Sequence, residues 1–412
     1  MKHNTPGNRE LRSPPGRAIR CSGRPYSGRM RRLLLLASAI VFVDTMFFAA
    51  VVPLLPRLVD DFELSKTGAG ILSGAYAAGT LTAAIPAGLF ASRVGVRPTV
   101  IAGLGLMSVS GLVFATANDA VLLDVARFVQ GIGGACSWAG ALGWLIGAAP
   151  RERRGQLIGS AMGVAIAGVL FGPVLGAAAV GLGRGPVFGA VAIAGLGLIA
   201  LTLRLPAPPV MATTRTARSK LSAVIGASGV RVGMTLILIP GMVFGAIEVL
   251  VPLRLDDLGA GAGAIAAVFV VAALTEALVA PVAGRISDRY GRLMPSKVGL
   301  AASTVAALVL IAPERAWVLG AVLIAAAPAI GILWSPAMAM LSDGAEGAGV
   351  DQGLAFGFVN LGWGLGHTIG ATGGPGLAEL TSDAVTYLAL AAICAVAFVA
   401  LTRRHEPLPE AA

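Results

Sequence analysis

Charged residues are scarce in this chain. Asp, Glu, Lys and Arg make up 13% of its 412 residues, whereas a soluble globular domain carries about 25%. Hydrophobic residues reach 56% and the mean hydropathy is +0.83. Such a composition excludes an ordinary soluble domain and predicts an integral membrane protein whose surroundings are the lipid bilayer.

Several motifs that carry chemistry are also missing. The sequence has no Gly-Lys dipeptide, and therefore no G-x-x-x-x-G-K-[ST] phosphate-binding loop, which excludes an ATP-driven pump in this chain. The three cysteines, Cys21, Cys136 and Cys394, do not form a disulfide framework. We find no cluster of metal ligands and no nucleophile–base pair, so we expect neither an enzyme nor a cofactor or metal.

Long apolar runs are what the chain has instead. A helix that spans a bilayer needs about 20 apolar residues, and the sequence predicts twelve such helices: 33–56, 67–91, 98–116, 119–148, 155–180, 186–204, 232–253, 262–284, 295–312, 317–341, 351–374 and 383–402. The predicted fold is an all-α membrane protein with two pseudo-symmetric six-helix bundles. The predicted domains are a basic, disordered leader (1–32), the first bundle (33–204), a cytoplasmic linker (205–231), the second bundle (232–402) and a tail (403–412).

Basic residues are distributed unevenly between the loops. One side of the membrane would hold the leader, the loops after even-numbered helices and the tail, with 25 of the 31 Lys and Arg residues, and the other side would hold five. Basic loops remain in the cytoplasm, so both termini are predicted to be cytoplasmic. These loops also account for the net charge of +10 without a nucleic-acid partner.

A glycine-punctuated phrase occurs twice. "GLFASRVGVR" starts at Gly88 and "GRISDRYGR" starts at Gly284, 196 residues later. The predicted fifth and eleventh helices also share a glycine spacing, with Gly168, Gly172 and Gly176 matched by Gly366, Gly370 and Gly374. Two homologous halves explain this repeat, and an internal repeat around a central cavity is typical of secondary transporters.

These motifs resemble the major facilitator superfamily. Each half has G-x-x-x-[DS]-R-x-G after its second helix, and "RFVQGIGG", "GVLFGPVLGA", "VDTMFFAAVVPLLP" and "GAIEVLVPLRL" resemble motifs of its drug/proton antiporters, including vesicular amine transporters and bacterial multidrug exporters. The resemblance implies alternating access. It also implies gating and helix-packing roles for Gly88, Ser92, Arg93, Gly95, Gly168, Gly172, Pro173, Gly176, Gly284, Asp288, Arg289, Gly291 and Arg292.

Ionisable residues inside the predicted spans are few, and each needs a reason because a charge at the bilayer centre costs about 2.5–3.5 kcal/mol. The predicted proton-coupling residues are Asp44, Arg127, Glu248 and Glu276. We expect Arg127 to pair with Asp44, or locally with Asp124. A static buried pair is the alternative to proton coupling. The predicted substrate-binding residues are Asp44, Trp138, Glu248, Asn360, Trp363 and His367.

The two copies of the repeated phrase differ at the position of its acid. In the resembled superfamily, an acid at the place of Asp288 helps to hold the cytoplasmic side closed, and it could pair with the basic stretch 151–155 of the other half. The first copy has Ser92 there, which can cap a helix but carries no charge. The glycine faces of helices 5 and 11 are interpreted as a rocking interface between the halves, or as ordinary small-residue packing.

The function hypothesis follows from the charges. Three acids against Arg127 leave the predicted cavity negative, which favours lipophilic cations. We therefore predict a monomeric, proton-coupled exporter of small lipophilic cationic compounds in a bacterial inner membrane. An exporter of sugars or of a neutral natural product, and a non-transporting receptor or assembly partner, are the alternatives.

Overall fold

The structure is a computed structural model, and it describes residues 28–149, 154–206, 226–348 and 352–403. All regular structure in these ranges is helical. The first half contains Gly28–Ala49 continued by Val51–Phe62 (α1), Lys66–Val94 (α2), Val96–Thr116 (α3), Ala120–Ala148 (α4), Arg154–Leu182 (α5) and Arg184–Arg204 (α6). The second half contains Ser228–Asp257 (α7), Ala262–Tyr290 (α8), Leu293–Val309 (α9), Ala316–Gly331 continued by Trp334–Gly347 (α10), Gln352–Thr368 continued by Gly374–Leu380 (α11) and Asp383–Thr402 (α12).

The helices suit a bilayer in length and composition. Within the described ranges, ten are long and apolar enough to cross a membrane. Of the other two spans, α9 is an apolar helix of 17 residues, and α11 is divided by the π-helical turn Ile369–Gly373. The all-α fold with twelve membrane helices is therefore as predicted. The proposed domain limits stay predictions, because the leader, most of the linker and most of the tail lie outside the described residues.

Two spans are broken just before a proline. The first part of α1 ends at Ala49, and the first part of α10 ends at Gly331. Pro53 and Pro336 each stand third in the helix that follows. Proline has no N–H to donate to the carbonyl four residues earlier, so it is tolerated in the first turn of a helix and interrupts a longer one. The sequence prediction of uninterrupted first and tenth helices missed both breaks.

The repeated phrase has a structural reason at its last glycine. Gly95 ends α2 with φ of 107°, and Gly291 ends α8 with φ of 87°. Residues that carry a side chain rarely adopt this backbone conformation. The glycines therefore allow each long helix to turn sharply into the next. We call this end of the bundle, predicted to be cytoplasmic, the inner end. The opposite end, which carries Lys66 and Asp383, is the outer end.

Gly291→Ala is expected to destabilise the protein by about 1–3 kcal/mol, because the backbone at this position belongs to a region that essentially only glycine occupies. Gly284→Ala is the matched control in the same phrase. A Cβ there meets no atom within 4 Å, so it should have little effect. Thermal unfolding in detergent measures both. Equal melting temperatures for the two variants would contradict this account of the repeat.

Candidate functional site

Asp44 lies near the middle of α1 and is almost fully buried, with 1% of its surface exposed. Its carboxylate accepts hydrogen bonds from two neighbouring helices. The Tyr76 hydroxyl on α2 is 3.0 Å from Oδ1 and 2.9 Å from Oδ2, and Trp138 Nε1 on α4 is 2.7 Å from Oδ2. These donors satisfy a group that would be costly to bury alone, and they bring α1, α2 and α4 together at one point.

Gly134 makes room for this contact. A Cβ built on Gly134 would lie 2.7 Å from Asp44 Oδ1 and 2.7 Å from the Tyr76 hydroxyl oxygen. Both distances are shorter than ordinary van der Waals contact, so a side chain at this position would displace one of the two partners. The "RFVQGIGG" motif therefore contributes space for the carboxylate as well as the arginine.

Arg127 lies on α4 and is also 1% exposed. Its guanidinium donates to Gln130 Oε1 at 2.8 Å and to the Phe48 carbonyl at 3.4 Å. It also lies over the Tyr76 ring, 5.2 Å from the centroid. The expected direct ion pair with Asp44 is not formed. Tyr76 stands between the two groups, donating its hydroxyl to the carboxylate and presenting its ring face to the cation.

Two further predicted residues meet in the second half. Glu248 on α7 and His367 on α11 approach each other, with 3.3 Å between Oε2 and Nε2. The His367 side chain is 1% exposed, whereas that of Glu248 is 20% exposed. Trp363 stacks on the His367 ring with 5.1 Å between centroids. The carboxylate of Glu248 is therefore the more accessible member of the pair.

Phe48 connects the two halves at this depth. Its ring lies 4.9 Å from Tyr76 in the first half, and 5.6 Å from Trp363 and 5.5 Å from His367 in the second half, measured between centroids. Aromatic pairs at such distances attract each other beyond simple burial. The Asp44 group and the Glu248 group thus belong to one region, lined by aromatic rings and crossed by the boundary between the halves.

Glu276 and Asn360 make fewer polar contacts than the other predicted site residues. The Glu276 side chain on α8 packs against Gly331, where a Cβ would overlap it, at the break in α10. Asn360 on α11 is half-buried, one turn before Trp363. For both side chains, no hydrogen-bond partner lies within the described part of the chain.

The profile of the Major Facilitator Superfamily matches residues 37–350. The chain belongs to this superfamily. Its members are membrane transporters that act on small-molecule substrates. The protein is therefore an integral membrane transporter, and the family match does not favour the alternative of a receptor. The resemblance drawn from the sequence motifs is confirmed.

Curated relatives of this superfamily member include multidrug resistance proteins. The Citrobacter koseri protein MdtL is 29% identical over 135 residues, which cover 33% of this chain and 35% of MdtL. The Escherichia coli protein of the same name is 27% identical over 135 residues, which cover 33% of this chain and 34% of the relative. The chain thus matches about a third of the length of these relatives, and the similarity is weak.

Solved transporters share the fold across nearly the whole chain. The human organic anion transporter MFSD10 (TETRAN) has a TM-score of 0.70 and 16% identity, covering 91% of this chain and 100% of its own. A bacterial homologue of the human lysosomal transporter Spinster, solved in an inward-facing and unoccupied conformation, has a TM-score of 0.71 and 15% identity, covering 92% and 98%. At these identities the likeness concerns the fold alone, and it confirms the predicted major facilitator architecture.

The contacts of the repeated phrase differ from those that the gating interpretation predicts. In the first half, the Ser92 hydroxyl donates to the Leu89 carbonyl of its own helix at 2.8 Å, so this bond stays within α2 and does not reach a neighbouring helix. Arg93 is exposed. Gly88 and Gly284 face open space, since a Cβ on either would meet no atom within 4 Å.

In the second half, Asp288 on α8 pairs at 2.5 Å with Arg292, which stands just before α9. The other guanidinium nitrogen of Arg292 lies 3.5 Å from Asp343 on α10, in the same half. Arg289 lies over the ring of the adjacent Tyr290, 5.4 Å from the centroid. Asp288 therefore joins a network within one half. Pairing with the basic stretch 151–155 stays a prediction, since 151–153 lie outside the described residues.

The glycine strips pack inside each half of the transporter. Side chains at Gly168, Gly172 and Gly176 of α5 would collide with α1, and side chains at Gly366 and Gly370 of α11 would collide with α7. Pro173 lies within α5 without ending it. The interpretation of these faces as a rocking interface between the halves is therefore wrong for this arrangement. They allow close packing of equivalent helix pairs, as small residues do in membranes.

Proposed function

We propose that this transporter exports small lipophilic cationic compounds in exchange for protons, by alternating access, from a bacterial inner membrane in which both of its termini are cytoplasmic. The observation that carries the proposal is the buried Asp44 carboxylate in an aromatic region at the boundary between the halves. An acid at this depth needs a compensating role. Weak similarity to the MdtL multidrug resistance proteins supports the substrate class.

Asp44 and Glu248 have different roles in this proposal, one toward protons and the other toward the substrate. Asp44 is enclosed by Tyr76 and Trp138, so its negative charge is accessible to a proton and not to a bulky cation. Glu248 retains 20% exposure beside the rings of Trp363 and Phe48. A lipophilic cation would place its charge near Glu248 and its apolar groups on those rings, which attract cations through their faces.

Arg127 links the two acids electrostatically. Its guanidinium is buried and lies against the Tyr76 ring rather than on either carboxylate. When a proton neutralises Asp44, Arg127 loses part of its counter-charge and repels a bound cation more strongly. Proton uptake at Asp44 would thus favour release of the cation, which is the coupling that an antiporter requires.

Alternating access requires contacts between the halves that can break. At the outer end, Lys66 Nζ lies 2.6 Å from Asp383 Oδ1, and the Thr67 backbone N–H donates to Glu379 Oε2 at 2.7 Å. Both contacts join α2 of the first half to α11–α12 of the second. Release of substrate at the outer end would require these two contacts to separate.

Lys66→Gln is expected to increase the population with separated outer ends by up to about fivefold, because a partly exposed ion pair at the surface contributes about 0–1 kcal/mol. The matched control is Arg57→Gln, which removes a pair with Asp61 at the same end but inside α1. Distances between spin labels on the outer loops of the two halves measure the effect. A larger shift for Arg57→Gln than for Lys66→Gln would contradict this assignment.

Transport itself tests the proposed substrate and coupling. Purified protein in vesicles should take up a labelled lipophilic amine when the lumen is acidified, and it should take up neither a matched neutral compound nor a sugar. Collapse of the pH gradient should stop the uptake. Uptake of the neutral compound in preference to the amine would contradict the proposal. It would favour the alternative of an exporter of a neutral natural product.

A further inference from the structure

A cavity that shares no lining residue with the Asp44 region lies at the side of the helix bundle. It is a groove of about 310 Å³ between α2, α4 and α11. Its walls include Ile71 and Ala78 of α2, Asp124 and Phe128 of α4, and Thr372 of α11. The groove therefore takes side chains from both halves.

The groove is apolar and opens sideways. Ile71 is 45% exposed and Val125, beside Asp124, is 50% exposed. Thr368 and Thr372 donate their hydroxyls to carbonyls of α11, at 2.6 Å and 2.7 Å, so they present mainly methyl groups. In a bilayer this opening faces lipid chains.

Asp124 is the ionisable exception in the wall. It is half-buried, and no hydrogen bond or ion pair to it is found in the described ranges. Arg127, its expected local partner, is instead bonded to Gln130 and to the Phe48 carbonyl. Asp119 adds a second acid toward the outer end and accepts a hydrogen bond from the Leu122 backbone N–H. The carboxylate of Asp124 at the groove thus has no ion-pair partner within the described part of the chain.

The depth of the groove matches a lipid of the outer leaflet. Asp124 is four residues from the outer end of α4, or about 6 Å along the helix, and Ala78 is twelve residues from the outer end of α2, or about 18 Å. The acid therefore lies close to the headgroup level, and the apolar wall continues toward the membrane centre. The volume is at the lower end of the roughly 300–1,000 Å³ typical of ligand pockets, so it accommodates part of one acyl chain.

We propose that this groove binds an ammonium-bearing phospholipid of the outer leaflet, with its headgroup at Asp124 and one acyl chain along α2 and α11. A primary ammonium donates N–H bonds to a carboxylate, whereas a trimethylated ammonium has no N–H to donate. The site should therefore prefer an ethanolamine headgroup to a choline headgroup. Because the lipid contacts both halves, it stabilises the arrangement in which α2 and α11 lie together.

The test uses the full chain in vesicles that contain equal amounts of phosphatidylethanolamine and phosphatidylcholine with identical acyl chains. Lipids retained after gentle extraction are counted by native mass spectrometry. The wild-type protein should retain one phosphatidylethanolamine with about tenfold preference, which corresponds to a charge-assisted hydrogen bond. Equal retention of the two lipids by the wild-type protein would overturn the proposal.

Three variants locate the site. Asp124→Asn should abolish the headgroup preference, and Ala78→Phe should reduce retention of both lipids by filling the groove. Asp119→Asn is the matched control, because the amide oxygen can still accept from the Leu122 N–H, and it should keep the preference. A preference that survives in Asp124→Asn would overturn the proposal. So would displacement of the lipid by tetraphenylphosphonium, which would make the groove a port for transported cations.

Discussion

Asp44→Asn should abolish proton-driven transport in a protein that still folds. The amide has nearly the size of the carboxylate, and its oxygen can accept from the Tyr76 hydroxyl or from Trp138 Nε1, which now share Asp44. Burying a neutral amide costs less than burying an anion, so stability should be kept. What is lost is the group that can take up and release a proton.

Vesicle uptake of a lipophilic amine under an imposed pH gradient measures this loss, and a thermal melt checks the fold. Asp60→Asn is the matched control, because it is the same change at an exposed position of the same span. Uptake should fall to background in Asp44→Asn and stay at the wild-type level in Asp60→Asn. Full gradient-driven uptake by a well-folded Asp44→Asn protein would shift proton coupling to Glu248 and Glu276.

Glu248→Gln should weaken binding of a cationic substrate by roughly 10- to 100-fold. An interaction with a charged group contributes about 1.5–3 kcal/mol, and each 1.4 kcal/mol is a factor of ten in Kd. The glutamine can still contact His367, which lies 3.3 Å from the carboxylate, so the packing of α7 on α11 should persist. The change therefore removes charge from the more exposed acid of the region with little change in shape.

Quenching of intrinsic tryptophan fluorescence, to which Trp363 contributes, by the bound substrate gives the Kd. A neutral analogue of the substrate is the internal control, because its affinity should be nearly the same for wild type and Glu248→Gln. Glu314→Gln, at an exposed position in the same half, should leave both affinities unchanged. If the cation binds Glu248→Gln as tightly as it binds the wild type, the recognition role belongs to another acid, with Glu276 as the next candidate.

The helices could be predicted from the sequence because apolar length is a property of each segment alone. The positions at which a helix is interrupted depend also on its neighbours in the fold. Pro53 and Pro336 break α1 and α10, whereas Pro173 and Pro240 lie inside continuous helices. Whether a proline ends a helix depends on neighbouring helices that satisfy the freed carbonyl, and one sequence does not contain that information.

The sequence allowed several residues of the site to be predicted, but not the contacts between them. A lone acid or arginine within an apolar run stands out because of its cost, and Asp44, Arg127 and Glu248 were found in this way. Tyr76 was missed, although it is one of only four tyrosines, because an aromatic residue in a membrane helix needs no special reason. Its role between Asp44 and Arg127 depends on the rotation of α2 and on the space at Gly134.

The glycine strips show the same limit. Their spacing predicted close helix packing, and that packing is present. The partner helix could not be read from the spacing, since glycine presents no chemistry that selects one neighbour. In the structure, the partners of α5 and α11 are α1 and α7.

Proton counterflow tests the central claim most directly. Vesicles containing the protein and a luminal pH dye are prepared without any pH gradient, and a lipophilic cation is added outside. Inward movement of the cation should drive protons outward, so the lumen should become alkaline in wild-type vesicles, and it should not change in Asp44→Asn vesicles. Entry of the cation into wild-type vesicles without any change in luminal pH would contradict proton-coupled exchange.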